Sequence, residues 1–149
     1  MKKTRLAVVA SAIILAACSS QPTQPSSENW IEPVQAVVRA AASPRLGVTG
    51  TFALTVRRAE RTPYRTHLNS ERDYRDQRNL SIAVTPYAAQ KLAVRLSAPP
   101  EIFLKGKNIL VSGTARRVRI DFTVDGKPTG KYYYQTHVLV SDPAQIEVL

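Results

Sequence analysis

In this 149-residue chain, residue types and spacing raise the possibility of chemistry at a carboxylate loop, a basic aromatic sheet face and a lone thiol. Glu71, Asp73 and Asp76 concentrate carboxylates, and oxygen ligands so gathered can hold Ca²⁺ or Mg²⁺. Arg72, Arg75 and Arg78 interrupt them, so the segment reads as a solvated, locally ion-paired loop. On two strands expected near the C-terminal end, Arg117 and Arg119 are placed on one outward surface with Tyr133 and His137. Cations beside an aromatic ring can bind single-stranded nucleic acid or an anionic glycan by charge and stacking. An ordinary exposed sheet face, its Lys and Arg discouraging edge pairing, accounts for the same residues and is the preferred reading. His137 is then a polar residue of that face, and Tyr132 and Tyr134, on the opposite parity, are expected in the core. Cys18 is the chain's one cysteine, so its thiol has no intramolecular partner.

Other chemistry is excluded by what the sequence lacks. His67 and His137 are the two histidines, and with one cysteine they make no zinc cluster of ordinary spacing. No phosphate-cradling glycine loop, Gly-x-Ser-x-Gly elbow or nucleophile–base–orienter set is present. A non-enzymatic protein without cofactor or metal is therefore expected. The 21 Lys and Arg against 11 Asp and Glu give a net charge of +10, which favours anionic surfaces without choosing among them.

Lys2, Lys3 and Arg5 precede an apolar run from Leu6 to Ala17, which is too short to span a bilayer as a helix of about 20 residues. A basic start, a short apolar stretch and small residues before a cleavage point are the parts of a signal peptide, expected over residues 1–17. The segment Leu15-Ala16-Ala17-Cys18 resembles the lipobox of bacterial lipoproteins. That resemblance implies that Cys18 receives diacylglycerol and becomes the mature amino terminus, a membrane partner through its lipid anchor. Ser19 in place of Asp resembles the enterobacterial sorting pattern for the outer membrane, periplasmic face; the inner membrane is the alternative address. Residues 18–28 then form the lipidated cysteine and a disordered tether, since Ser19 to Ser27 offers nothing apolar to bury. Those nine residues reach at most about 30 Å.

Residues 29–149 are expected to form one domain, periplasmic if the lipoprotein resemblance holds. Pro33 suits a first helical turn, and Val34, Val37, Val38 and Ala41 would give a helix over 33–42 one apolar stripe. Val48, Gly50, Phe52, Leu54 and Val56 alternate with polar neighbours as in a half-buried strand. Short strands are expected over 64–68 and 80–84, then a helix capped by Thr85 and starting at Pro86. Ile109, Val111, Gly113 and Ala115 share one parity and Val118, Ile120, Phe122 and Val124 the other, which predicts a bulge or break near Arg116. Asp125-Gly126 is a hairpin turn signal, residues 131–141 return as a strand, and a short strand lies around Ile146 and Val148.

The fold class is thus mainly β with one or two short helices. Three strands, a helix and two more strands resemble the OB-fold, a small Greek-key barrel. The segment Phe103 to Gly113 looks like the turn and glycine-containing fourth strand of bacterial OB domains, and His67 to Glu71 with Asp73 to Asp76 like the second-strand end of some. The OB-like core would run from about residue 47 to 141; an open or lipocalin-like antiparallel sheet is the alternative. The resemblances together imply a basic outer-membrane lipoprotein that binds a protein or polymer partner in the cell envelope. A tethered OB-type module for single-stranded nucleic acid or an anionic glycan is the alternative.

Overall fold

The computed structural model describes residues 29–149. Cys18, Ser19 and the expected signal peptide and tether lie outside the described residues. Among those described, no helix is long and apolar enough to cross a membrane.

The elements in chain order are β1 (Trp30–Ile31), α1 (Pro33–Ala42), β2 (Val48–Thr55), β3 (Arg58–Arg61), β4 (Thr66–Asn69), β5 (Leu80–Val84), α2 (Pro86–Leu96), α3 (Pro100–Phe103), β6 (Asn108–Val124), β7 (Lys127–Val140) and β8 (Ile146–Val148). Mainly β, they build one sheet in the order β1-β2-β6-β7-β5-β4-β3, with β8 also paired to β6. β5 and β7 are parallel, as are β1 and β2, and the remaining pairs are antiparallel. β2 and β3 stand far apart in that order but only Val56 and Arg57 separate them in the chain. The Val56 amide donates to the Lys107 carbonyl at 2.9 Å, and the Arg57 amide to the Asn69 carbonyl at 2.9 Å. One stretch of chain thus leaves a partner on one side and takes up another on the other side, so the sheet is strongly curled.

The inside of the curl holds the apolar parity of each strand: Phe52, Leu54, Leu68, Ile82, Val84, Ile109, Val111, Val138 and Val140, with Val56 between β2 and β3. Each large aliphatic residue so buried contributes roughly 1.5–3 kcal/mol. α2 covers the core with Ala88 and Leu92. Thr85 caps this helix as expected, its hydroxyl accepting the Ala88 amide at 3.2 Å.

α1 forms over the expected residues but turns the other way. Ala36 and Ala40 are fully buried, whereas Val34 and Val38 are 49% and 63% exposed. Small side chains let the helix backbone approach the sheet closely, and that takes precedence over burial of its valines. β3 was not expected at all, and the strand placed at 64–68 runs from Thr66 to Asn69.

β6 continues through Arg116 without a break. Its register with β7 is regular from Ala115↔Val138 to Asp121↔Tyr132, and the irregularity falls between Asp121 and Thr123. The switch of apolar parity has another cause: beyond Ala115 the strand leaves the curl, and its opposite face, Val118 and Ile120, becomes half-buried. Tyr132 and Tyr134 have the inward parity, yet here there is no core to enter, and they are 48% and 41% exposed. The hairpin closes at Asp125 (φ 49°) and Gly126 (φ 75°), both left-handed, as a two-residue turn of primed type requires.

Where β7 departs toward β5 and β8 takes its place beside β6, Gln145 fills the interval. Its Nε2 donates to the carbonyls of Ser112 (2.9 Å) and Leu139 (3.2 Å), and its Oε1 accepts the amides of Ser141 (2.9 Å) and Asp142 (3.0 Å).

Candidate functional site

β-strand alternation puts residues of β3, β4, β5, β6 and β7 on the outside of the curl. Cross-strand register brings Arg58 opposite Asn69, Asn69 opposite Ser81, Ser81 opposite His137, and His137 opposite Arg116. Above this row, loop 70–79 folds back over the sheet. Asn79, almost fully buried, holds the loop: its Nδ2 donates to Asn69 Oδ1 (3.0 Å) and the Tyr74 carbonyl (3.3 Å), and its Oδ1 accepts the Glu71 amide (3.0 Å). Buried amide groups satisfied in this way stay in one arrangement, since any displacement strands several donors.

Between loop and sheet lies a cleft of about 800 Å³. His67, Ser81, Gln135 and His137 belong to its floor, Tyr74 and Tyr133 to its walls, and Arg58, Arg72 and Arg75 to its rim. A second hollow of about 550 Å³ adjoins it at His67 and His137 and adds Arg65 and Arg116. Glu60 and Asp73 are the acidic residues of the lining, and Glu60 is paired with Arg58 at 3.0 Å. Arginine predominates along this path.

One amide orders the centre. Gln135 Nε2 donates to the Tyr74 carbonyl (3.3 Å) and the Tyr133 hydroxyl (2.8 Å), so its Oε1 faces His137 Nε2 at 2.7 Å. A carbonyl oxygen accepts only, so His137 carries its proton on Nε2 and leaves Nδ1 as a free acceptor. Burial pushes His137 down to about 4, and the neighbouring His67 adds to this. His67 is also lowered, by burial first, against the opposing pull of Glu60. The two rings meet edge to face at 5.8 Å, and His67 Nδ1 lies 3.3 Å from Ser81 Oγ. At neutral pH both imidazoles are uncharged, and the positive charge of the cleft belongs to its arginines.

The four residues placed together from sequence are divided. Tyr133 and His137 lie in the cleft, but Arg117 and Arg119 lie on the other face of the β6–β7 hairpin. There Arg117 stacks over Tyr134 at 3.7 Å and Arg119 over Tyr132 at 4.1 Å, while Arg119 pairs with Asp121 at 2.7 Å. Two carboxylates of loop 70–79 are ion-paired: Asp76 meets Arg78 at 2.8 Å, which holds its carboxyl down to about 2, and Glu71 meets Arg57 at 3.4 Å; Asp73 Oδ1 accepts the Arg75 amide at 2.9 Å. Among the described residues no group of three or more His, Cys, Asp or Glu is gathered as a metal site. Sequence reasoning missed His67, Asn69, Asn79 and the arginines of the rim. His67 had a signal, since Thr66 and Leu68 on either side point inward; the loop's fold-back had none.

No family model and no curated protein matches the chain. Among solved structures, one assigned to an aspartyl-tRNA synthetase from Leishmania major Friedlin aligns with 89% of this chain at 11% identity and a TM-score of 0.43, and the chain spans 23% of that protein. Likeness at that level fixes neither fold nor function.

Proposed function

We propose that this chain is a lipid-anchored protein of the bacterial envelope, attached through Cys18 to the periplasmic face of the outer membrane. Its OB-like domain binds an extended anionic polymer in the cleft between loop 70–79 and the sheet. The observation that carries the reading is a cleft rimmed by Arg58, Arg72 and Arg75, with Arg65 and Arg116 lining the adjoining hollow, over a half-buried floor of uncharged imidazole, amide and phenol groups. Phosphate or carboxylate groups of such a polymer would face the rim, and sugar or base rings the floor.

The OB-like reading is supported by pairing order. Taken as one bent strand, β2 and β3 pair with β6 and β4, β5 runs parallel to β7, and α2 lies between the third and fourth strands of that count. A binding role is favoured over catalysis because His137 is oriented by an amide rather than a carboxylate and has no nucleophile on its free nitrogen.

Binding of a fluorescent anionic oligosaccharide and of an oligothymidylate, each titrated against salt, tests this. Arg58→Ala with Arg72→Ala should weaken binding and flatten its salt dependence, since fewer counterions are released. No salt-sensitive binding to either probe defeats the proposal, and binding of the oligothymidylate alone transfers the site to nucleic acid. Radiolabelled palmitate entering the wild type but not Cys18→Ser tests the anchor, and retention of Ser19→Asp in the inner membrane tests the address.

A further inference from the structure

The inward alanines of α1 leave Val34, Val38, Ala41 and Ala42 on the outside, all exposed. A helix of the domain surface ordinarily carries its apolar residues inward and polar ones outward. This one is apolar on both sides, with Gln35 and Arg39 between the two faces. Just before it, Ile31 points into the core and Trp30 the other way, 42% exposed. Leu46, just after it, is 77% exposed, and Arg45 stands beside it. Trp30, the valines and Leu46 are thus exposed apolar residues along the N-terminal margin of the domain, with Arg39 and Arg45 among them and Glu32 at the helix N-cap.

We infer that this margin is a membrane-docking surface, and that α1 lies on the phospholipid headgroups with Trp30 at the interface. The inference rests on the anchor proposed for Cys18. Residues 19–28 join that cysteine to the domain, a leash of at most about 35 Å when fully extended. The surface nearest the leash is thus held close to the bilayer at a high effective concentration, where even a weak apolar contact is populated. Tryptophan favours the level of the headgroups, and arginine beside an apolar helix face suits anionic lipid. The cleft is built from other elements, so docking through α1 leaves its lining residues uninvolved.

Trp30 is the chain's one tryptophan, so its fluorescence reports this surface alone. The full chain, purified from membranes and reconstituted in phosphatidylethanolamine–phosphatidylglycerol vesicles, should show blue-shifted emission that acyl-brominated lipids quench. Val34→Gln with Val38→Gln should lose the shift and the quenching while the protein stays with the vesicles. Cys18→Ser protein mixed with the same vesicles should be quenched only at much higher lipid concentration. If the lipidated wild type shows unshifted, unquenched emission, docking is overturned and the anchor stands. If no palmitate enters the wild type but vesicles quench Trp30, the anchor fails and the docking surface stands. Quenching unchanged in the double variant also overturns the proposal.

Discussion

His137 is held neutral by its burial in the cleft, which pushes it down to about 4. Above pH 6.5 its ring is neutral in both folded and unfolded chains. Between 6.5 and about 4 the unfolded chain takes up a proton that the folded cleft refuses, so stability falls as pH falls, and below about 4 the loss is complete. The expected loss is about 2–3 kcal/mol between pH 7 and 4 on this account. Urea midpoints measured across that range should follow this slope, and His137→Gln should flatten it. Gln135→Ala removes the amide shared by His137, Tyr133 and the Tyr74 carbonyl, and should cost about 1 kcal/mol. A weakened hold on loop 70–79 should appear with it, read as faster amide exchange at Glu71.

At the scale of elements, the hairpin of β6 and β7 has two faces of different make-up, and substitutions should sort by face. Arg117→Ala with Arg119→Ala should leave polymer binding in the cleft intact while lowering the urea midpoint slightly, through loss of two exposed cation–π contacts. Tyr133→Ala should weaken binding instead. Titration and urea unfolding of both variants check this. The division was legible in principle: a two-residue Asp-Gly turn pairs Val124 with Lys127, so even positions oppose odd ones throughout. Arg117 must then share a face with Tyr134, not with Tyr133. Phe52 to Val56, the Thr85 cap and the Asp-Gly turn were readable because each rests on local alternation or local hydrogen bonding. β3 was not, for Arg58-Ala59-Glu60-Arg61 has no apolar alternation and becomes a strand only because β4 supplies its hydrogen bonds. The direction of α1 was hidden too, since periodicity marks an apolar stripe but not whether a tighter one of alanines will claim the sheet.

Over the whole molecule one core serves every strand, from Phe52 to Ile146. Ile82→Ala, at a fully buried site of the interior strand β5, should cost about 2–5 kcal/mol. Since both sides of the curl share that core, circular dichroism and Trp30 emission should report one coincident transition, for the variant as for the wild type. The far part of the hairpin is the exception. Residues 121–132 are exposed throughout, and their amides should exchange well before those of β5.

Gln145 imposes an order in time. The Ser112 carbonyl waits for a donor thirty-three residues further along the chain, so a nascent segment ending between Val140 and that glutamine has β6 and β7 but no stitch between their diverging paths. The seam is sealed late, by a side chain rather than a strand. Until then the domain is easier to pull open. Refolding of Gln145→Ala, followed by pulsed hydrogen exchange, should show the amides of Ser141 and Asp142 left unprotected after the rest of the sheet has formed.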